Sequence, residues 1–207
     1  MGRLTGEKTR GVPKLHSQPV AERPHLDGFL DEEFWQNFSV TDAARMRAPG
    51  NQGFDTLLFA HDDEFLYLGL VCEKLADHHY LDSDQPRQRD PDQAGVDRLT
   101  IEFDVDRDYS TGFEMTFDSR GQVVDRCENS IEWNPECYIA QNSTEQHWII
   151  EAAIRLDELV IDPANLDMWK IQCSRSSNAT GITHWPPVAH DSQKTGQRAG
   201  YLIFARD

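Results

Sequence analysis

The chain has 207 residues and carries 20 Lys and Arg against 36 Asp and Glu, a formal net charge of −16. This length is sufficient for one large domain or two small ones, with a hydrophobic core. Ten Phe, five Tyr and five Trp argue against disorder. No apolar run approaches the roughly 20 residues of a membrane helix, so we expect no membrane span. The negative charge disfavours nucleic acid as a partner.

The chain begins with a polar segment that is followed by a short helix. Residues 1–19 contain several Gly and Pro, which predicts a flexible N-terminal arm, and residues 20–207 are expected to form a single domain. The arm has no readable signal peptide, so we expect either a cytoplasmic protein or part of an exported chain whose leader is missing. Residues 30–35 predict the helix, because Asp31 is a suitable N-cap and Phe34 and Trp35 supply an apolar side.

Period-2 alternation of apolar and polar residues dominates the rest of the chain. The predicted strands are 54–60, 65–73, 96–106, 112–118, 123–124, 148–154, 169–175 and 201–204. Residues 74–95 predict a long polar loop, and residues 156–159 a helical turn. Such a pattern is typical of an all-β fold, an antiparallel β-sandwich with jelly-roll or immunoglobulin-like layers and one or two short helices.

Three of these strands place polar side chains on one face. If the strands are neighbours, this face carries hydrogen-bond donors and acceptors together, as a polyol requires. The alternative is that the face is only the solvated side of a sandwich. The polar sets are Arg98, Thr100 and Glu102, then Glu114, Thr116 and Asp118, then Lys170, Gln172 and Ser174.

Asp104, Asp106 and Asp108 have the spacing of the first ligands of a calcium loop. Tyr109 and Met115 stand where an EF-hand has Gly and Glu, so the alternatives are a structural calcium site of another kind and a solvated acidic turn.

Residues 77–84 contain two His and three Asp, but adjacent His side chains on an extended chain point to opposite faces, which argues against a metal site there.

Four cysteines, at positions 72, 127, 137 and 173, form no C-x-x-C pair, which argues against a zinc knuckle. Cys72 and Cys173 lie in apolar runs and are expected in the core. Cys127 and Cys137 flank a short segment, so a disulfide between them is an open alternative to free thiols.

Several short motifs follow one another in a characteristic order. They are L-D-G-x-L-D-E-x-x-W from Leu26, D-D-x-x-L-Y-L from Asp62, D-R-L-T-I-E-F-D from Asp97, W-I-I-E-A-A-I from Trp148, W-K-I-Q from Trp169, Trp185, and the closing G-Y-L from Gly200. In this order and spacing the chain, from about residue 20 to 205, resembles the family 9 carbohydrate-binding modules and their wider DOMON-like relatives.

The resemblance implies a β-sandwich that binds sugars, usually as an accessory domain of secreted polysaccharide-degrading enzymes, and sometimes with structural calcium. Sugar-binding members clamp the ligand between two tryptophans, but the matching positions here are near Ala94 and Gln193. The strand glutamate and arginine of those members fall at Thr100 and near Thr116. The glutamine of the W-x-I-Q strand is retained as Gln172.

The sequence therefore predicts a non-catalytic carbohydrate-binding module, accessory to carbohydrate catabolism, with carbohydrate as its partner. The expected ligand contacts are Gln172, Arg98, Thr100, Glu102, Glu114, Thr116 and Trp185. Three alternatives stay open. The first is an interaction scaffold that has lost its ligand, and the second is a hydrolase using Glu102 and Glu114 as a carboxylate pair. The third is haem binding through Met115 or Met168.

Overall fold

A computed structural model describes residues 11–39, 41–47, 54–76, 79–80, 86–108, 111–128, 130–160, 162, 166–177, 181–187 and 199–205. The described strands are β1 (Lys14–Pro19), β2 (Ala44–Met46), β3 (Asp55–His61), β4 (Phe65–Glu73), β5 (Arg98–Asp104), β6 (Phe113–Asp118), β7 (Val123–Cys127), β8 (Cys137–Ser143), β9 (His147–Arg155), β10 (Met168–Ser177), β11 (Gly181–Trp185) and β12 (Gly200–Phe204). The helices are α1 (Glu33–Gln36) and a 3₁₀ turn, Leu156–Glu158. No helix among the described residues is long and apolar enough to cross a membrane.

The strands form one curled sheet that folds into two layers. The first layer has the order β7-β6-β5-β10-β12, with β11 also paired to β10, and the second has the order β3-β4-β9-β8, with β2 paired to β3. The strand β1 joins the two layers because its Ser17 pairs with Phe204 of β12 and its Gln18 with Ala60 of β3. This is the predicted all-β sandwich with short helices.

The hydrophobic core lies between the two layers. Alternation along β5 buries Leu99, Ile101 and Phe103 almost completely, as expected for a strand with one face turned inward. The rings of Phe59 on β3 and Phe103 on β5 meet edge to face with centroids 6.4 Å apart. Burial of these side chains from both layers is the main source of stability.

A buried ion cluster ties the layers together beside this core. Arg175 on β10 is 2% exposed, and its guanidinium donates to both oxygens of Asp97, at 2.9 and 2.5 Å, and to Asp55 on β3. Asp97 also accepts from the indole of Trp148 on β9, at 3.0 Å. Because a buried charge is tolerated only when it is paired and hydrogen-bonded, these residues fix the position of β5 relative to the second layer.

The N-terminal segment differs from its prediction. The last six residues of the predicted arm form β1, which is paired on both sides and runs parallel to both neighbours. The prediction of a flexible arm was therefore wrong for Lys14–Pro19. Because β1 is parallel to its neighbours, the sheet is mixed rather than purely antiparallel. Alternation alone did not indicate this strand, because only Leu15 in it is a buried apolar residue.

Other local predictions also needed correction. The strands β2, β8 and β11 were not predicted, because they are short or carry polar residues on both faces. The helix α1 starts after Glu32 without a side-chain cap, so Asp31 is not its N-cap. All four cysteines are free thiols, and Cys127 and Cys137 form no disulfide.

Candidate functional site

The polar side chains expected on one sheet face do come together. Glu102 on β5 pairs across the sheet with Gln172 on β10 and, on its other side, with Glu114 on β6. Thr100 pairs in the same way with Ser174 and Thr116. We call this outward surface of the first layer the polar face. It comprises Arg98, Thr100, Glu102, Glu114, Thr116 and Gln172.

Hydrogen bonds order the centre of the polar face. The amide of Gln172 donates to the carboxylate of Glu102, and the hydroxyls of Thr100 and Thr116 bond each other at 2.9 Å. Burial raises the pKa of Glu102 above its ordinary value; the hydrogen bond from Gln172 opposes this shift, and the nearby charge of Glu114 adds to it. The row thus offers an oriented amide and two adjacent carboxylates to hydroxyl groups.

Arg126 extends this row and was not predicted from the sequence. It pairs with Glu114 from β7 and is exposed. The sequence predicted that this strand would end at Val124, so Arg126 fell outside it. Val123, Val124 and Asp125 are all buried before the exposed Arg126, so no alternation was available in the sequence to indicate this residue.

Arg98 lies at the end of the polar face beside the loop that precedes β5. Its Nη1 donates to the carbonyl oxygens of Gln93 and Val96, at 2.9 and 3.2 Å. Gln93 is itself buried and donates to the carbonyl oxygen of Thr116 at 3.1 Å. Arg98 therefore holds this loop against the sheet as well as lining its face.

Trp185 does not lie on the polar face. It pairs with Cys173, whose side chain points into the core, and Trp185 is only 7% exposed. Its ring packs where a Cβ on Gly200 would stand, 2.4 Å away, so position 200 has no room for a side chain. Trp133 also packs on another ring, that of Phe113, with ring centroids 4.8 Å apart. The outward positions of β5, β6 and β10 bear no aromatic ring.

The three aspartates with calcium-loop spacing also lie close together. One carboxylate oxygen from each of Asp104, Asp106 and Asp108 lies within 4.8 Å of the others. Slight burial and the charges of its two neighbours raise the pKa of Asp106. Oxygen ligands of this kind fit Ca²⁺, although the ammonium group of Lys170 lies 3.3 Å from Asp104 and competes for that carboxylate. Of the residues considered for a second metal site, all but His79 lie outside the described residues.

The outward surface of the second layer is built differently, because residues 20–38 cover it. Glu151 on β9 points outward yet is fully buried. Its carboxylate accepts from the indole of Trp35 and from the backbone amides of Asp27 and Gly28, at 3.1, 3.1 and 3.3 Å. The L-D-G-x-L-D-E-x-x-W motif is thus a docking segment that fastens α1 onto the sheet. We call this surface the covered face.

Comparison with known proteins supports the fold. The sequence matches no protein-family model and no curated protein. Among solved structures, the chain is similar to a family 9 carbohydrate-binding module from Caldicellulosiruptor kristjanssonii in complex with cellotriose, with a TM-score of 0.60 and 14% identity over 92% of this chain and 93% of that one. The same kind of module from that organism in complex with glucose has a TM-score of 0.55 and 13% identity over 93% and 95%.

A third similar structure is a protein from Bacteroides uniformis to which carbohydrate binding has been ascribed. Its TM-score is 0.62, with 12% identity over 94% of this chain and all of the other. At these identities the likeness concerns the fold alone. The chain therefore has a fold like that of the family 9 carbohydrate-binding modules.

Proposed function

We propose that the chain is a non-catalytic carbohydrate-binding module that binds sugars on the polar face and serves carbohydrate catabolism. The row formed by Gln172, Glu102 and Glu114 on three adjacent strands carries this proposal. The similar folds with bound cellotriose and glucose support it. The wider relation to DOMON-like domains belongs to the same proposal.

The chemistry of the row suits sugar hydroxyls. A hydroxyl donates to a carboxylate and accepts from an amide or a guanidinium, and bonds to charged groups are the stronger ones. Glu102 and Glu114 supply the acceptors, while Gln172 and Arg98 supply donors. Because aromatic stacking is missing from these strands, we expect affinity to rest on hydrogen bonds and to be weaker than in a clamped site.

The test is calorimetric titration with glucose and cellotriose. We expect binding to the native chain, and Gln172→Ala and Glu102→Gln should each weaken it by about tenfold, the effect of losing one hydrogen bond to a charged group. The control variants Gln146→Ala and Glu158→Gln replace exposed residues away from this face and should leave affinity unchanged. Absence of binding to these and other glycans would favour the scaffold alternative.

The carboxylate pair supports hydrolysis as a second candidate. Glu102 and Glu114 are direct cross-strand partners, and the pKa of Glu102 is raised, which an acid catalyst requires. Cross-strand Cα atoms lie about 5 Å apart, compatible with the carboxyl separations of glycosidases. If the native chain releases reducing sugar and Glu102→Gln does not, hydrolysis replaces binding as the proposed function.

A further inference from the structure

The hairpin of β2 and β3 carries two arginines and a phenylalanine on its outer side. Ala44 and Met46 are buried in the core, so Arg45 between them points outward, and Arg47 follows on the same side and is exposed. Phe54, directly before β3, is 37% exposed. We call Arg45, Arg47 and Phe54 the arginine patch. It lies on the second layer, on the opposite side of the sandwich from the polar face.

Both arginines stack on the same ring. Their guanidinium carbons lie 4.2 and 4.3 Å from the centroid of Phe54. Such contacts hold the two side chains in place, with their N–H groups around an exposed apolar ring. The patch thus combines an aromatic surface with ten arginine donors.

These arginines have no partner carboxylate among the residues that the structure describes. Among the described residues, no carboxylate lies within 4.0 Å of either guanidinium. Asp55, the next residue after Phe54, turns inward to Arg175. Arg23 is a useful contrast, because it lies 5.0 Å from the ring of Phe65 but is bound by Asp62 and Glu64, at 3.2 and 2.9 Å.

Two arginines without a described acidic partner are unexpected in this chain. Acidic residues outnumber basic ones by 36 to 20, so an average arginine has carboxylates nearby. Two like charges beside one ring repel each other, and an anion placed between them would remove this repulsion. Paired guanidinium groups favour carboxylates in particular, because their donors match the two carboxylate oxygens.

Neighbouring strands supply a floor for a larger ligand. Arg45 pairs across the sheet with Thr56, Thr56 with Val71, and Val71 with Ile149. The last three side chains are partly exposed, because residues 20–38 pack further along the sheet, on Leu58 and Gly69. At about 4.8 Å per strand, this row is about 14 Å long, the length of a short oligosaccharide.

We propose that the arginine patch is a second binding site, specific for sugars that carry carboxylates, such as uronic acids. The carboxylate would bind Arg45 and Arg47, which Phe54 holds in place, while the sugar rings lie along Thr56, Val71 and Ile149. This inference rests on the proposed function for one point only, that the ligand is a sugar. The site itself is independent of Gln172 and Glu102.

The experiment is calorimetric titration with a trimer of galacturonic acid, compared with its methyl ester, which has the same rings without charge. We expect the acid to bind and the ester to bind at least tenfold more weakly, with the affinity for the acid falling as salt is added. Arg47→Gln and Phe54→Ala should each weaken binding of the acid by about tenfold. Arg23→Gln is the matched control, because Arg23 also lies over an aromatic ring but is already paired with carboxylates. This variant should leave the affinity for the acid unchanged.

The outcomes separate this site from the polar face. We expect Gln172→Ala to lose cellotriose binding and to retain uronate binding. If the acid does not bind, binds as well as its ester, or is unaffected by both patch variants, the inference is wrong even where cellotriose binds. A polyglutamate peptide of equal charge that binds as tightly would overturn the assignment to sugars. Thermal unfolding of each variant confirms that it is folded.

Discussion

The two outward faces of this sandwich carry glutamates in equivalent positions, with different consequences. Glu102 on β5 and Glu151 on β9 both alternate with core residues. Glu102 faces an open row of polar side chains, whereas Glu151 is covered by residues 20–38 and is fully buried. Three donors satisfy Glu151, whereas within the described part of the chain Gln172 alone donates to Glu102. The covered face thus uses its glutamate to hold a packed segment, whereas the glutamate of the polar face stays partly exposed.

The largest expected effect comes from removing the buried carboxylate. Glu151→Ala leaves the indole of Trp35 and two backbone amides buried without an acceptor, which should cost about 3 kcal/mol in the free energy of unfolding. Glu102→Ala should cost under about 1 kcal/mol, because Gln172 can bond to water instead. Urea unfolding followed by tryptophan fluorescence measures both. Equal losses in the two variants would refute the division of roles.

The docking of the covering segment can be tested at Gly28. Its φ is +83°, and a Cβ there would lie 2.8 Å from the carbonyl carbon of Gln141. Gly28→Ala should therefore lower the free energy of unfolding by about 2 kcal/mol, the sum of backbone strain and a steric clash. Gly181 is the matched control, since its φ is +76° but no atom of the described residues lies within 4 Å of its Cβ position. Gly181→Ala should cost only the strain, about 1 kcal/mol.

The pH dependence of stability should report the buried glutamate. Burial raises the pKa of Glu151 above its ordinary value of 4.5, and the hydrogen bond from Trp35, which lowers the pKa, offsets only part of this shift. The folded chain then holds this proton more tightly than the unfolded chain, so the contribution to stability is full below pH 4.5 and is lost as the pH rises through the folded pKa. Relative to Glu151→Gln, the native chain should lose stability as the pH rises from 4 to 7. Urea unfolding at several pH values measures this difference, and a constant difference would contradict it.

The smallest effect is expected from calcium at the end of the polar face. Asp104, Asp106 and Asp108 fit the ion, but Lys170 competes for Asp104, so we expect weak binding. Millimolar Ca²⁺ should raise the melting temperature by about 2–4 °C, equivalent to about 1 kcal/mol. Asp106→Asn should abolish the rise, and Mg²⁺ should not reproduce it because it requires a stricter geometry. An equal rise in the variant would place the ion elsewhere.

The strands with strong alternation and the composition of the polar face could be predicted from local pattern alone. Glu102, Glu114 and Gln172 were placed on one face because side-chain direction in a strand has period 2, which is a local property of the chain. The same rule predicted the buried residues of β5 and the two-layer fold.

Only the tertiary structure decided which outward residues are open. Nothing local distinguishes Glu151 from Glu102, because the covering segment is more than a hundred residues away from Glu151 along the chain. Trp185 turned inward because β11, which was not predicted, pairs it with Cys173. The strand β1 likewise depends on neighbours distant in sequence. Pairing and burial are set by contacts between distant segments, whereas alternation is set by adjacent residues.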